Sequence, residues 1–369
     1  MNKIKTIAAV AVAIVFIAAI GVAVANNPSR EKGLYALDAQ VLIVDMGGIT
    51  ATPKMVDSIE SLYSQVYGDL EAEGYTIEDA KADSEFWSEY CDYASIVEAR
   101  GNGYAVDIVL KSGPRKVAIP SAADAMLSMG TMYLTTMYYF VCMKHGAEPY
   151  SDEAMGDEAL RSEYASLVAG GTRREYIESN TELGGYIGSG YLDSGKSSIA
   201  EYEREMLAEH VAKLSAEGRK TLLLATGKSV DDAAYKAIRD EVVGQGGMEA
   251  LFVTASDIKG AFAGIECLGY IFGYGEYVDE LIEGLQVRLY EVYRALHGQE
   301  EEHKVYWEAS SGKSVSASGM SSSVMGFMGW DTSLMTGTEY DTEALLEAEP
   351  DIIVFYSNDK RDMDAKMRV

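Results

Sequence analysis

Two short apolar runs constrain this chain more than any other feature. Lys220 to Ala225 and Ala250 to Thr254 bracket a polar segment of helix length. Strand, helix and strand at a spacing of about thirty residues make a βαβ unit, which implies a parallel sheet with a right-handed crossover. Other segments extend the pattern. Tyr104 to Leu110 alternates as a strand, Lys111-Ser112-Gly113-Pro114 reads as a turn, and Lys116 to Ile119 as the next strand. Pro120 then leads into an apolar helix ending near Gly130, and a second apolar run covers Tyr133 to Cys142. Ala125 to Cys142 is eighteen residues without a charge, the length of a membrane span, but its serine, glycine and threonines favour a core helix. Asp257 to Leu296 carries one long amphipathic pattern with room for a break at Gly273 to Gly275. A strand at Lys304 to Glu308, a helix at Thr342 to Ala348 and a buried strand through Ile352 to Phe355 follow. The architecture predicted is α/β, with two lobes of parallel sheet joined by one long helix.

Residues 28 to 103 differ: they are acidic, with Met55, Ile59, Leu62, Val66 and Leu70 at helical spacing. A small helical extension is expected there. The whole chain of 369 residues is 48% hydrophobic and 24% charged, a globular balance with enough length for two domains. Its 31 Lys+Arg against 58 Asp+Glu leave a net charge of −27, which argues against nucleic acid as a partner.

Where the protein works is written at its amino terminus. Two lysines within Met1 to Lys5 precede twenty uncharged residues, Thr6 to Ala25, that close on Ala23-Val24-Ala25. This describes a secretory signal peptide or an uncleaved membrane anchor, with the bulk of the chain outside the cytoplasm. Such a location removes ATP and NAD and weighs against most nucleotide enzymes. Gly190 to Ser197 satisfies the letter of G-x-x-x-x-G-K-[ST], but Tyr191 and Asp193 stand where backbone would wrap phosphate. A glycine-rich loop before a helix is the reading kept.

Catalysis and bare-metal chemistry find no support in the residues. Cys91, Cys142 and Cys267 form no C-x-x-C pair and at most one disulfide, and His145, His210, His297 and His303 contain no H-x-x-x-H. No G-x-S-x-G or Cys/His signature is present. Met126, Met129 and Met132, and Met325 with Met328, are soft-metal ligand types, yet their spacing suits core packing. Among 25 tyrosines, Tyr133, Tyr138, Tyr139, Tyr186, Tyr191 and Tyr306, with Trp307, cluster near predicted strand ends, where aromatic faces can pack on a flat ligand.

Three stretches in order resemble one family. Arg115-Lys116-Val117-Ala118-Ile119-Pro120-Ser121-Ala122-Ala123-Asp124-Ala125-Met126-Leu127-Ser128-Met129-Gly130 resembles the first strand and helix of the substrate-binding proteins of iron-complex and cobalamin ABC importers. Ser256-Asp257-Ile258 through Leu268-Gly269-Tyr270-Ile271-Phe272-Gly273 to Leu296 is similar to that family's linking helix, and Glu343-Ala344-Leu345-Leu346 through Pro350-Asp351-Ile352-Ile353 to its E-x-L-L-x-x-x-P-D-x-I segment. The resemblance covers about residues 104 to 356 and implies two Rossmann-like lobes, a rigid linking helix and a ligand held in the cleft.

It divides the chain into a signal or anchor (1–25), an acidic helical extension (26–103), a first lobe (104–255), a linking helix (256–296) and a truncated second lobe (297–369). The ligand positions it implies are Ser121, Ala122, Tyr191, Thr226, Gly227, Trp307, Ser310, Ser318, Met320 and Ser321, and the permease-docking positions are Glu201 and Glu343. The function expected is an exported solute-binding protein, not an enzyme. It would carry a ferric siderophore, haem or cobalamin as cargo, with no cofactor of its own, and deliver it to an ABC permease and its ATPase. The membrane is a further partner if the amino-terminal segment stays. The alternative is a membrane-anchored surface protein that keeps the fold without a ligand.

Overall fold

In a computed structural model, the residues described are 39–44, 50–95, 97–102, 105–110, 122–128, 131–171, 201–225, 233–251, 255–297, 299, 302–308, 313–316, 319–340 and 342–356. The amino-terminal apolar run lies outside them. The chain separates into one unit made of 1–44, 302–316 and 330–369 and another made of 45–301 and 317–329. Both are α/β.

The larger unit opens with α1 (Lys54–Tyr67) and α2 (Ile77–Ala82), followed by a short helical stretch, Ser84–Phe86, that widens into a π turn at Trp87–Cys91. Strands β2 (Val97–Asn102) and β3 (Ala105–Leu110) pair antiparallel; β1 (Gln40–Val44) belongs to the other unit. Four parallel strands follow: β4 (Ala125–Ser128), β5 (Val168–Gly171), β6 (Thr221–Ala225) and β7 (Met248–Leu251). Their spatial order is β5-β4-β6-β7. The crossovers carry α3 (Thr131–Lys144), α4 (Asp152–Gly156), α5 (Glu158–Leu167), α6 (Glu201–Ala216) and α7 (Ala233–Gly244). Two long helices then follow, α8 (Ile258–Ile271) and α9 (Gly275–Leu296), and α10 (Met320–Phe327) also falls in this unit.

The βαβ pattern at 220–254 is thus observed, as β6, α7 and β7. The segment before it departs from expectation. Ala125–Ser128 is a strand and not the end of a helix, and all four of its residues are buried between β5 and β6. A strand covered on both faces loses the two-residue alternation and reads as a plain apolar run. The eighteen uncharged residues are therefore a strand followed by a helix. Nearly every described α3 side chain is buried, which explains its lack of a polar face. Among the described residues no helix is long and apolar enough to cross a membrane.

The long pattern at 257–296 forms two helices. Asp257 caps α8 by accepting the Gly260 N–H at 2.7 Å. The helix ends at Phe272-Gly273-Tyr274, where Gly273 has φ +79° and the Tyr274 N–H reaches the Gly269 carbonyl at 2.7 Å. Gly269 faces Val278 and Phe140 so closely that an added Cβ would stand 2.3 Å from Val278 Cγ2 and 2.8 Å from Phe140 Cζ. Both helices therefore pack against each other inside one unit.

The acidic segment is part of this core. Met55, Val56, Ile59, Leu62 and Tyr63 form the buried stripe of α1, and Arg288 on α9 pairs with Asp57 at 2.6 Å and with Glu60 at 2.5 Å. Glu291, 8% exposed, accepts the N–H groups of Glu73, Gly74 and Tyr75 at 3.0, 3.0 and 3.1 Å. One buried carboxylate thereby holds the whole turn before α2, which a Thr76–Asp79 capping box starts.

The smaller unit contains β1 (Gln40–Val44), β8 (Val305–Trp307), α11 (Thr342–Ala348) and β9 (Ile352–Tyr356), with sheet order β1-β9-β8, all parallel. Gln40 pairs with Ile352 and Val44 with Tyr356. Residues 40–44, expected in the helical extension, thus build the same sheet as the last strand. Tyr306, Leu345, Ile353 and Phe355 form its core on one face.

Candidate functional site

Parallel sheets offer their ligand sites outside the carboxyl ends of the strands, at the point where strand order reverses. In the four-stranded sheet that point lies between β4 and β6, because β5 was added on one side of β4 and β6 on the other. The chain leaves β4 at Met129-Gly130 and leaves β6 at Thr226-Gly227. All seven parallel strands lead, at or just past their carboxyl ends, into segments outside the described residues: 45–49, 129–130, 172–200, 226–232, 252–254, 309–312 and 357–369.

Of the positions singled out in the sequence, Ser121, Tyr191, Thr226, Gly227, Ser310 and Ser318 lie outside the described residues, as does the whole Gly190 to Ser197 loop. Thr226 and Gly227 directly follow β6, and Ser310 comes three residues after the end of β8. Ala122 stands before β4 (Ala125–Ser128), at its amino end, and the strand expected at 116–119 lies outside the described residues. Trp307 lies inside β8 with its side chain fully buried. Met320 and Ser321 begin α10, the first buried and the second half-buried. Glu201 starts α6; Glu343, exposed, is in the first turn of α11.

The described methionines Met126, Met132, Met325 and Met328 are buried. The three cysteines are free and buried, and burial pushes the Cys142 thiol up to about 11. Among the described residues no group of three or more His, Cys, Asp and Glu could hold a metal ion.

Sequence reasoning missed a polar cavity of about 340 Å³ at the opposite, amino edge of the same sheet. Ala123 and Asp124 reach it just before β4, Ser166 and Leu167 just before β5, and Phe272, Gly273, Tyr274, Glu276 and Tyr277 from the α8–α9 corner. Lys144 and Glu163 complete the lining. Glu163 is the hub: it accepts from Lys144 Nζ at 2.8 Å, from the Tyr274 hydroxyl at 2.6 Å and meets His145 Nε2 at 3.0 Å. Burial opposes its charge, but those three hydrogen bonds outweigh burial and hold its carboxyl below the ordinary 4.5. Burial, reinforced by the same carboxylate, drives the Tyr274 hydroxyl far above its usual value. Lys144 also stands 5.8 Å above the Tyr274 ring. His145, Glu163 and Tyr274 come from three separate elements, so no local motif announces the cluster.

No protein-family model and no curated protein matches the sequence. Solved structures with some likeness include a TroA-like periplasmic binding protein, FepB, from Veillonella parvula, at 15% identity and TM-score 0.42, over 65% of this chain and 67% of that one. A periplasmic haem-binding protein from Pseudomonas aeruginosa stands at 15% identity and TM-score 0.40, over 63% and 72%. The triscatecholate siderophore-binding protein FeuA from Bacillus subtilis, complexed with ferri-bacillibactin, stands at 13% and 0.41, over 70% and 77%.

Proposed function

We propose that this chain is an exported solute-binding protein that captures a metal chelate, of the class of ferric siderophores, haem or cobalamin, and hands it to an ABC permease with its ATPase. The observation that carries the reading is the strand reversal between β4 and β6, at the carboxyl end of β6, which Thr226-Gly227 follow in sequence. The export signal and the three ordered stretches support it. The reading is one of binding and delivery, with no bond made or broken in the cargo. Hydroxyls and backbone around Thr226, Gly227, Ser310 and Ser318, with Tyr191, would surround the chelate, and Glu201 and Glu343 would meet the permease. The protein would work in the periplasm or on the outer face of the cell membrane.

Intrinsic fluorescence tests this reading, since the chain has three tryptophans and 25 tyrosines. Haem, cobalamin and a ferric hydroxamate are titrated into the purified protein. Quenching by one of them with a dissociation constant around the micromolar range or tighter is expected, and that ligand names the cargo. Flat titrations with all three, in a sample shown to be folded, would overturn the reading in favour of a surface protein without a ligand.

A further inference from the structure

The amino-edge cavity has a floor and a rim of different chemistry. Ala123, Leu167 and Phe272 are buried beneath it, whereas Asp124, Lys144 and Glu276 are exposed around it and Tyr277 is half-buried. Its volume, about 340 Å³, stands at the small end of ligand pockets, which run from about 300 to 1,000 Å³.

Both signs of charge on the rim keep bonding capacity. Lys144 has three N–H donors and gives one to Glu163, whose own two oxygens are taken. The α9 helix begins beside it without a side-chain cap; the Tyr277 N–H is spent on the Tyr274 carbonyl at 2.9 Å, which leaves the Gly275 and Glu276 N–H groups as the start of the helix to receive an anion. Asp124 accepts the Lys220 N–H on Oδ2 at 2.8 Å, which leaves Oδ1 toward the rim. Glu276, exposed in the first turn of α9, adds a second carboxylate. Arg219, behind the rim, spends Nη2 on the Asp124 and Ser166 carbonyls and braces the two strand entries.

From this geometry we propose that the cavity binds a small zwitterion of amino-acid size. Its carboxylate is received by Lys144 and the start of α9, its ammonium by Asp124 and Glu276, and its apolar part rests on Ala123, Leu167 and Phe272. A simple anion would meet the two carboxylates, and a simple amine would meet Lys144, so only a ligand bearing both charges satisfies the rim. The site lies at the amino ends of the strands and does not depend on the chelate reading.

Calorimetric titration of the purified full chain with glycine, leucine, glutamate and lysine tests the proposal, with acetate and methylamine as half-ligands. At least one amino acid is expected to bind, with acetate and methylamine each weaker by about tenfold or more. Lys144→Met and Glu276→Gln, checked for folding by circular dichroism, should each weaken binding by about tenfold or more. Glu276→Gln leaves the Glu163 network untouched and guards against a folding defect in Lys144→Met. Absence of heat with all four amino acids, unchanged affinity in Glu276→Gln, or acetate binding as tightly as the amino acid would overturn it. Fluorescence titration with the three chelates on the same variants should be unchanged from the parent protein, which separates this site from the proposed cargo site.

Discussion

The two parallel sheets are assembled from the chain in opposite ways. The four-stranded sheet takes its strands in one continuous run, β4 to β7, each joined to the next by helices. The three-stranded sheet pairs β1, near the amino terminus, with β9, near the carboxyl terminus, and sets β8 on the far side. Local strand order is visible as periodicity in a window of sequence; a partner at the other end of the chain leaves no such trace. The difference also bears on folding, because contacts of long sequence separation carry the larger loop-closure cost and form later.

Four measurements break or sharpen that comparison. Trp307→Ala removes the largest fully buried side chain of β8 and should cost about 3–5 kcal/mol in denaturant unfolding. Hydrogen exchange should show the loss at Ile352–Tyr356 with β4 and β6 still protected; equal loss in both sheets would erase the distinction. Leu42→Ala, in a strand position 1% exposed, should cost about 2–5 kcal/mol. Protection of Ile352–Tyr356 should fall with it, and unaltered protection there would remove β1 from the sheet.

Gly269→Ala acts on the other unit. The new methyl meets Val278 and Phe140 inside normal contact, so a loss of about 1–3 kcal/mol is expected, confined to the α8–α9 corner. A neutral substitution would mean that these helices do not pack as described.

The smallest effect concerns acid. Glu163 is held below its ordinary 4.5, so its stabilising contribution is complete above that value and is lost as pH falls through the lower folded-state value. Glu163→Gln should therefore be less stable than the parent near neutrality, with the gap closing as pH drops below about 4.5. A gap of constant size from neutral to acid would show that the hydrogen bonds of Glu163 do not depend on its charge.

Much of the fold was legible locally. The β6–α7–β7 unit, the α11 helix and β9 all lie where periodicity puts them. Misreadings arose where burial is complete on every side, as at Ala125–Ser128, whose apolar run carries the same composition as a core helix. The break between α8 and α9 was allowed by Gly273 but became compulsory only through the approach of Gly269 to Val278 and Phe140. Thr226 and Gly227 follow a strand that the sequence marks clearly, and both lie outside the described residues. The amino-edge cavity was not, because Asp124, Lys144, Glu163 and Glu276 are ordinary surface residue types until the fold gathers them.

By itself the sequence determined what short-range chemistry can determine: apolar runs of strand length, helical stripes, the uncharged amino-terminal run and the acidic charge. Only the tertiary structure decided that β1 joins β9, that the acidic segment is tied into the core by Arg288 and Glu291, and that Glu163 gathers Lys144, His145 and Tyr274. The physical reason is the same in each case. Propensity and periodicity act over neighbouring residues, whereas pairing and charge compensation depend on which distant groups the fold brings within a few ångströms.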